Sequence, residues 1–169
     1  MERVVNVSKP LALISYLAFM PRRIATRDRL CDLLWGDRRI ELGRTQLRQA
    51  LWQIRSLLGD DFLRVTPEGV SLNRDVDSDV ARFEAALHGN QLETALSIYT
   101  GDFFSEYAAP GAEAFEEWAQ GERSRIRSLF VQAGDMHAQG LMNSGAYGAA
   151  IELGKHRRAL DPLGQRGGG

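Results

Sequence analysis

The chain has 169 residues, of which 44% are hydrophobic and 25% charged, an ordinary composition for a soluble protein of one larger or two small domains. Its single cysteine, Cys31, excludes an internal disulfide and a cysteine-based metal cluster, and the three histidines lack ligand spacing, so we expect no metal and no cofactor. No apolar run could span a membrane and the N-terminus lacks a signal-peptide pattern, so we expect a cytoplasmic protein without membrane contact.

Charge is distributed unevenly along the chain, although its formal net value is only −1. Residues 1–58 carry 11 Lys and Arg against 5 Asp and Glu, a net charge of +6. Residues 59–82 carry a net −3, and residues 83–169 a net −4. An arginine-rich first third followed by an acidic remainder indicates an anionic partner for the first part only.

The first 42 residues predict one short strand and two helices. After the sequence RVVNV, Pro10 stands in the first turn of a helix that ends before Pro21. Thr26 is a typical N-cap for a second helix, which Gly36 ends. Residues 37–42 then form a short link to a third helix.

The third helix, predicted from about residue 43 to Gly59, has the clearest chemical signal. One face is apolar: Leu47, Ala50, Leu51, Ile54, Leu57 and Leu58. The opposite face carries Thr45, Gln49, Trp52 and Ser56, with Arg48 and Arg55 on one edge and Gln46 and Gln53 on the other, and Arg44 projects from the first turn. Because arginine suits phosphates and guanine edges and glutamine suits adenine edges, this face fits a DNA major groove. The alternative is an ordinary solvated surface helix.

Residues 62–72 predict a β-hairpin, with Pro67 and Gly69 in its turn. Three helices followed by a hairpin is the layout of a winged helix, whose wing would place Arg64 and Thr66 near the DNA backbone. A plain antiparallel edge is the alternative and is compatible with a wing. Arg23 and Arg27, which flank the start of the second helix, complete the predicted DNA-binding residues.

The rest of the chain predicts helices, at residues 80–87, 91–99, 113–143 and 146–160. The aromatic side chains of the intervening loop, Phe103, Phe104 and Tyr107, are expected to fill a core. The last helix resembles half of a tetratricopeptide-type helical hairpin. The predicted fold is therefore mostly α, with a winged helix-turn-helix domain at residues 1–78, a tetratricopeptide-like helical domain at 79–163 and a disordered tail at 164–169.

Seven motifs, in order, resemble one family of regulators. They are LLWGD at 33–37, RTQLRQALWQIRSLLGDD at 44–61, GVSLN at 69–73, DVARFEA at 79–85, YTGDFF at 99–104, AFEEWAQGERSRIR at 114–127 and AIEL with ALDPL at 150–163. The family is the Streptomyces antibiotic regulatory protein type of activator, an OmpR-type winged helix followed by a bacterial transcriptional activation domain.

This resemblance implies binding to double-stranded promoter DNA, usually at direct repeats that a homodimer would occupy, and activation through contact with RNA polymerase. The recognition helix of the family falls on residues 44–58, and its wing falls on residues 62–72. The resemblance implies a regulator and not an enzyme.

Two functional hypotheses follow, and an enzyme is disfavoured because no nucleophile pair or phosphate-binding loop stands out. The first is a sequence-specific DNA-binding transcriptional regulator. The alternative is a protein-interaction module whose winged helix is a docking surface, which the outward Trp52 favours slightly. The indole of Trp52 has three candidate uses: contact with a thymine methyl or sugar, contact with a protein, or a cation–π pair with Arg48 or Arg55.

Overall fold

The computed structural model describes residues 5–6, 8–102, 107–109 and 111–160, with backbone alone at residues 5–6 and 107–108. These residues are mostly helical, as predicted, and form seven helices and five short strands. They divide into two compact units, the first containing residues 1–81 and 104–121, and the second residues 82–103 and 122–169. The sequence predicts one domain boundary, between residues 78 and 79. In the structure the chain instead passes from one unit to the other three times.

The first unit begins with strand β1 (Val5–Asn6) and the capped helix α1 (Lys9–Phe19), in which the Ser8 hydroxyl accepts a hydrogen bond from the Leu11 amide. Strand β2 (Ile24–Ala25) leads into helix α2 (Arg27–Trp35). The Thr26 side chain accepts a hydrogen bond from the Arg29 amide at 3.1 Å, which confirms the predicted N-cap.

Helix α3 (Ile40–Leu58) is longer than predicted, because it starts before Gly43. Gly43 lies inside the first turns and packs against Cys31 and Trp35 of α2, so the predicted start near Gly43 is too late. The predicted apolar face is correct for its first four members, which are buried, but wrong for Leu57 and Leu58. These two leucines are 83% and 52% exposed, since the core stops short of the last helical turn.

The predicted hairpin is present as strands β3 (Leu63–Val65) and β4 (Val70–Leu72). It is part of a three-stranded antiparallel sheet in the order β2-β4-β3, with Ala25 opposite Val70 and Leu63 opposite Leu72. A Cβ atom at Gly69 would collide with the backbone of Ala25, so the close approach of β2 requires glycine in this turn.

Helix α4 (Asp79–His88) and helix α5 (Leu92–Ile98) follow, and strand β5 (Tyr107–Ala108) then pairs in parallel with β1. Helix α6 (Glu113–Asn143) is the longest helix, and its first nine residues belong to the first unit. There the Trp118 ring lies 4.8 Å from that of Tyr16 and 5.6 Å from that of Phe19. Phe115 of the same turns is buried in the core that α1, α2, α3 and the sheet share.

The second unit is closed by contacts among its helices. The Tyr99 ring stacks on Phe130 of α6 at 4.2 Å, and the Tyr99 hydroxyl donates a hydrogen bond to Asp102 at 2.6 Å. Arg127 of α6 forms an ion pair with the same carboxylate. The segments YTGD and ERSRIR, which belong to two of the motifs that resemble the regulator family, therefore contact each other.

The last helix, α7 (Tyr147–Leu160), folds back along α6 and buries none of its residues within the described chain. The Arg157 guanidinium of α7 donates a hydrogen bond to the Val131 carbonyl at 3.1 Å and forms an ion pair with the Asp135 carboxylate at 2.8 Å. Phe103, Phe104, the side chain of Tyr107 and the predicted tail at 164–169 lie outside the described residues.

Candidate nucleic-acid interface

An open groove of about 830 Å³ lies between α3, the start of α2 and the turn that joins β3 to β4. We call it the arginine groove. Its lining residues are Thr26, Arg27, Asp28, Arg44, Leu47, Arg48, Leu51, Trp52, Arg55, Val65, Pro67 and Glu68. Five of the ten predicted DNA-binding residues therefore meet here, although they come from two helices.

Helical spacing explains why three of the arginines share this groove. Arg44 and Arg48 are four residues, about one turn, apart and Arg55 is seven residues, about two turns, beyond Arg48, so all three lie on one side of α3. Arg27, the first residue of α2, adds a fourth guanidinium from the facing element. Leu47 and Leu51 are buried at the base and anchor this side of α3 to the core.

Two carboxylates reduce the positive charge of the arginine groove. Asp28 lies 3.7 Å from the Arg44 guanidinium, and both side chains are well exposed. Glu68 stands in the β3–β4 turn, where a hydrogen bond with the Thr66 side chain lowers the pKa of its carboxyl group. With four arginines against two acids, the groove keeps a net charge of +2 and favours an anionic ligand.

Arg55 is the groove arginine whose bonding is incomplete. Its Nε is buried and donates to no acceptor among the described residues. A buried donor without a partner is costly, and bonds between guanidinium and phosphate are among the stronger hydrogen bonds. A ligand oxygen that entered the groove would satisfy this atom if it reached Nε.

The outward face of α3 carries the remaining predicted residues of this helix. Gln49 is exposed, and within the described chain its amide forms no hydrogen bond. The Thr45 hydroxyl donates to the Glu41 carbonyl at 3.0 Å and accepts a long 3.4 Å bond from Arg48. Gln49 is therefore free to bind a base edge, whereas the Thr45 proton is already engaged within the helix.

The three predicted residues that belong to neither α2 nor α3 also lie outside the arginine groove. Arg64 is exposed on β3, and the Thr66 backbone closes the hairpin turn through hydrogen bonds with Gly69. Arg23 has a different environment, because its guanidinium donates to the carbonyl oxygens of Val76 and Asn73. These bonds tie β2 to the segment after β4 and use donors that a DNA contact would need.

Trp52 is 70% exposed at the edge of the groove, in agreement with its predicted position opposite the apolar face. Within the described chain its indole stacks on no other ring, and no guanidinium lies over it. The cation–π pair with Arg48 or Arg55, one of the three candidate uses, is not formed. The indole is therefore open to an external partner.

The acids of the groove were not among the residues predicted from the sequence. Asp28 lies in the first turn of α2, and Glu68 lies in the β3–β4 turn. The positive charge of α3 gave no signal for either residue, because their approach depends on the packing of α2 and the sheet against α3.

The described residues contain no group of three or more His, Cys, Asp and Glu side chains that could hold a metal ion. No helix in the described ranges has both the length and the apolar character that crossing a membrane requires.

Residues 69–166 match the family described as bacterial transcriptional activator domain, a regulatory family. The matched segment begins in the β3–β4 turn and includes α4 to α7. No curated protein matches the chain significantly.

Proposed function

Because the chain belongs to the bacterial transcriptional activator domain family, which matches more than half of its residues, we propose that it is a sequence-specific DNA-binding transcriptional regulator. The first compact unit binds double-stranded promoter DNA with α3 in the major groove. The second unit contacts RNA polymerase or a second copy of the chain. Such a regulator works in the bacterial cytoplasm, where promoter DNA is found.

The observation that carries this proposal is the convergence of Arg27, Arg44, Arg48 and Arg55 on one groove. A major groove about 12 Å wide accepts an α-helix, and arginines on such a helix neutralise flanking phosphates or bind guanine edges. Three helices followed by an antiparallel hairpin also agree with the winged-helix layout of the OmpR type. On that layout α3 is the recognition helix and the β3–β4 hairpin is the wing.

The described contacts suggest roles for six of the predicted residues. We assign Arg48, Gln49 and Trp52 to the base edges, because they lie on the exposed side of α3. Arg27 and Arg64, on the elements that flank α3, are assigned to phosphates. Arg23 is left out of the proposed interface because backbone carbonyls already bind its guanidinium.

The second unit offers an exposed surface for a protein partner. Helix α7 buries none of its residues, and its Tyr147 and Ile151 side chains are 62% and 59% exposed. Exposed apolar side chains on one helix favour contact with another protein. Contact with RNA polymerase and the homodimer on direct repeats both stay predictions of the resemblance.

The decisive experiment selects bound sequences from a random DNA pool with the full chain and then measures affinity for the selected duplex. We expect a shared motif, and an affinity that falls steeply as salt rises. The double variant Arg44→Ala/Arg48→Ala should weaken binding strongly. Arg158→Ala, which removes an exposed arginine of α7, is the matched control and should not. Equal binding by both variants would remove α3 from the interface.

A protein-interaction module is the second candidate, and the 70% exposure of Trp52 is the observation that favours it. In that case the arginine groove would bind a protein, and the chain would show no enrichment of any DNA sequence. Retention on heparin with salt-sensitive elution supports the DNA-binding function. Failure to bind either heparin or DNA supports the interaction module.

A further inference from the structure

The chemical use of Trp52 follows from its surroundings. We propose that the Trp52 indole recognises thymine, by packing against the 5-methyl group that this base presents in the major groove. This inference rests on the proposed DNA-binding function and specifies which base one side chain reads. It gives the bound sequence a thymine at a position set by α3.

The neighbours of Trp52 favour DNA over a protein surface. Arg48 lies one turn before it and Arg55 nearly one turn after it, and both line the same groove. The groove lining carries four guanidinium groups against two carboxylates, and burying the unpaired guanidinium groups against a protein surface without matching acids is costly. DNA would neutralise both arginines, with Arg48 at a base edge and Arg55 at a phosphate, while the indole between them reached a base.

The apolar surface around Trp52 is small, which also fits a single methyl group. The nearest apolar residues of the groove on α3, Leu47 and Leu51, are only 2% and 7% exposed. Among the groove residues of α3, Trp52 is thus the exposed apolar side chain, whereas Val65 and Pro67 line the groove from the hairpin. Thymine is the base whose major-groove edge carries a methyl group, whereas the other bases present only donors and acceptors there.

Gln49 extends the inference to the base pair. It lies three residues before Trp52, so the two side chains occupy adjacent turns of one face, with Cβ atoms about 5–6 Å apart. Its free amide suits the N6 and N7 atoms of adenine. Since base pairs are stacked about 3.4 Å apart along each strand, both side chains can reach the same or neighbouring A·T pairs.

The test replaces thymine with uracil, one position at a time, in the duplex selected by the full chain. Uracil keeps the base pairing and the phosphate charge and removes only the methyl group. We expect one thymine at which this change weakens binding about fourfold, equal to the ~0.8 kcal/mol of one buried methyl-sized group. Trp52→Ala should bind the thymine and uracil duplexes equally, which closes a double-mutant cycle between indole and methyl.

Gln53→Ala is the matched control, because Gln53 is the next exposed residue on α3 and lies off the groove. It should keep the fourfold difference between thymine and uracil. The melting temperature of Trp52→Ala should equal that of the parent chain, as its side chain is 70% exposed. If alanine destabilises the fold, Trp52→Gln provides the same comparison with a polar side chain of helical propensity.

The outcomes separate this inference from the proposed function. A parent chain that binds no DNA sequence contradicts the proposed function itself. A chain that binds DNA but tolerates uracil everywhere overturns only the role of Trp52. The inference also fails if the uracil effect persists in Trp52→Ala, or if that variant loses self-association while its DNA affinity stays unchanged.

Discussion

Arg44 and Arg48 test the DNA interface most sharply, because they lie one turn apart on α3 and differ in their bonding. Arg44 pairs with Asp28 at 3.7 Å, whereas Arg48 donates one long bond to Thr45 at 3.4 Å. We expect Arg48→Ala to cost about 1–3 kcal/mol of binding free energy if the arginine reads a base. This is a loss of roughly 5- to 150-fold in affinity.

Arg44→Ala should cost less than Arg48→Ala, because Arg44 must leave Asp28 before it binds DNA. An exposed ion pair contributes about 0–1 kcal/mol, so the difference between the two variants is expected in that range. Asp28→Asn releases Arg44 and removes a negative charge from the arginine groove. It should therefore tighten binding by up to about fivefold, and more at low salt than at high salt.

The DNA affinity of each of these variants is measured by fluorescence anisotropy with a labelled duplex at one fixed salt concentration. In the Asp28→Asn background, Arg44→Ala should cost more than it does in the parent chain, since the competing pair is absent. Glu93→Gln removes an exposed acid of α5 and is the charge-matched control. Weaker binding by Asp28→Asn would refute the reasoning, because it would show that this carboxylate supports the bound state.

Three further predictions concern the wing and the fold. Arg64→Ala should weaken binding to all sequences about equally and lower the log–log salt slope by roughly one unit, and a changed sequence preference would show that the wing reads bases. Phe115→Ala should lower the free energy of unfolding, measured by urea titration, by about 3–5 kcal/mol, because this side chain is only 3% exposed in the core of the first unit. A change below about 1 kcal/mol would argue against that packing. Gly69→Ala should destabilise the chain, since its Cβ would meet the backbone of β2. Gly140→Ala, at a position of α6 where a Cβ meets no other atom, should stabilise the chain by about 0.5–1 kcal/mol. Equal effects of the two substitutions would contradict the turn geometry.

The local features of this protein could be predicted from short stretches of its sequence. The hydroxyl of Thr26 caps α2, and Gly59 ends α3 with a positive φ of 97°, because both depend on residues within one helical turn. The outward position of Trp52 followed from the period of α3 in the same way. Local hydrogen bonds and helical periodicity depend only on residues that are close in the sequence, so these features could be predicted.

Tertiary structure alone decided which distant segments meet. Strand β2 has only two residues, too few to give a period, and exists because β4 pairs with it. The bonds that hold the Arg23 guanidinium join residues at least 50 positions apart. Contacts between residues this far apart leave no local sequence pattern. The sequence therefore predicted that Arg23 binds DNA, whereas in the structure its guanidinium donates to backbone carbonyl oxygens.

The charge of each part of the protein was also settled by packing. Residues 83–169 are net −4, but the acidic start of α6 belongs to the first unit together with Phe115 and Trp118. Counted over residues 82–103 and 122–169, the second unit carries 8 Lys and Arg against 7 Asp and Glu. Apolar side chains of α6 complete the first core, and their burial takes the neighbouring carboxylates into that unit.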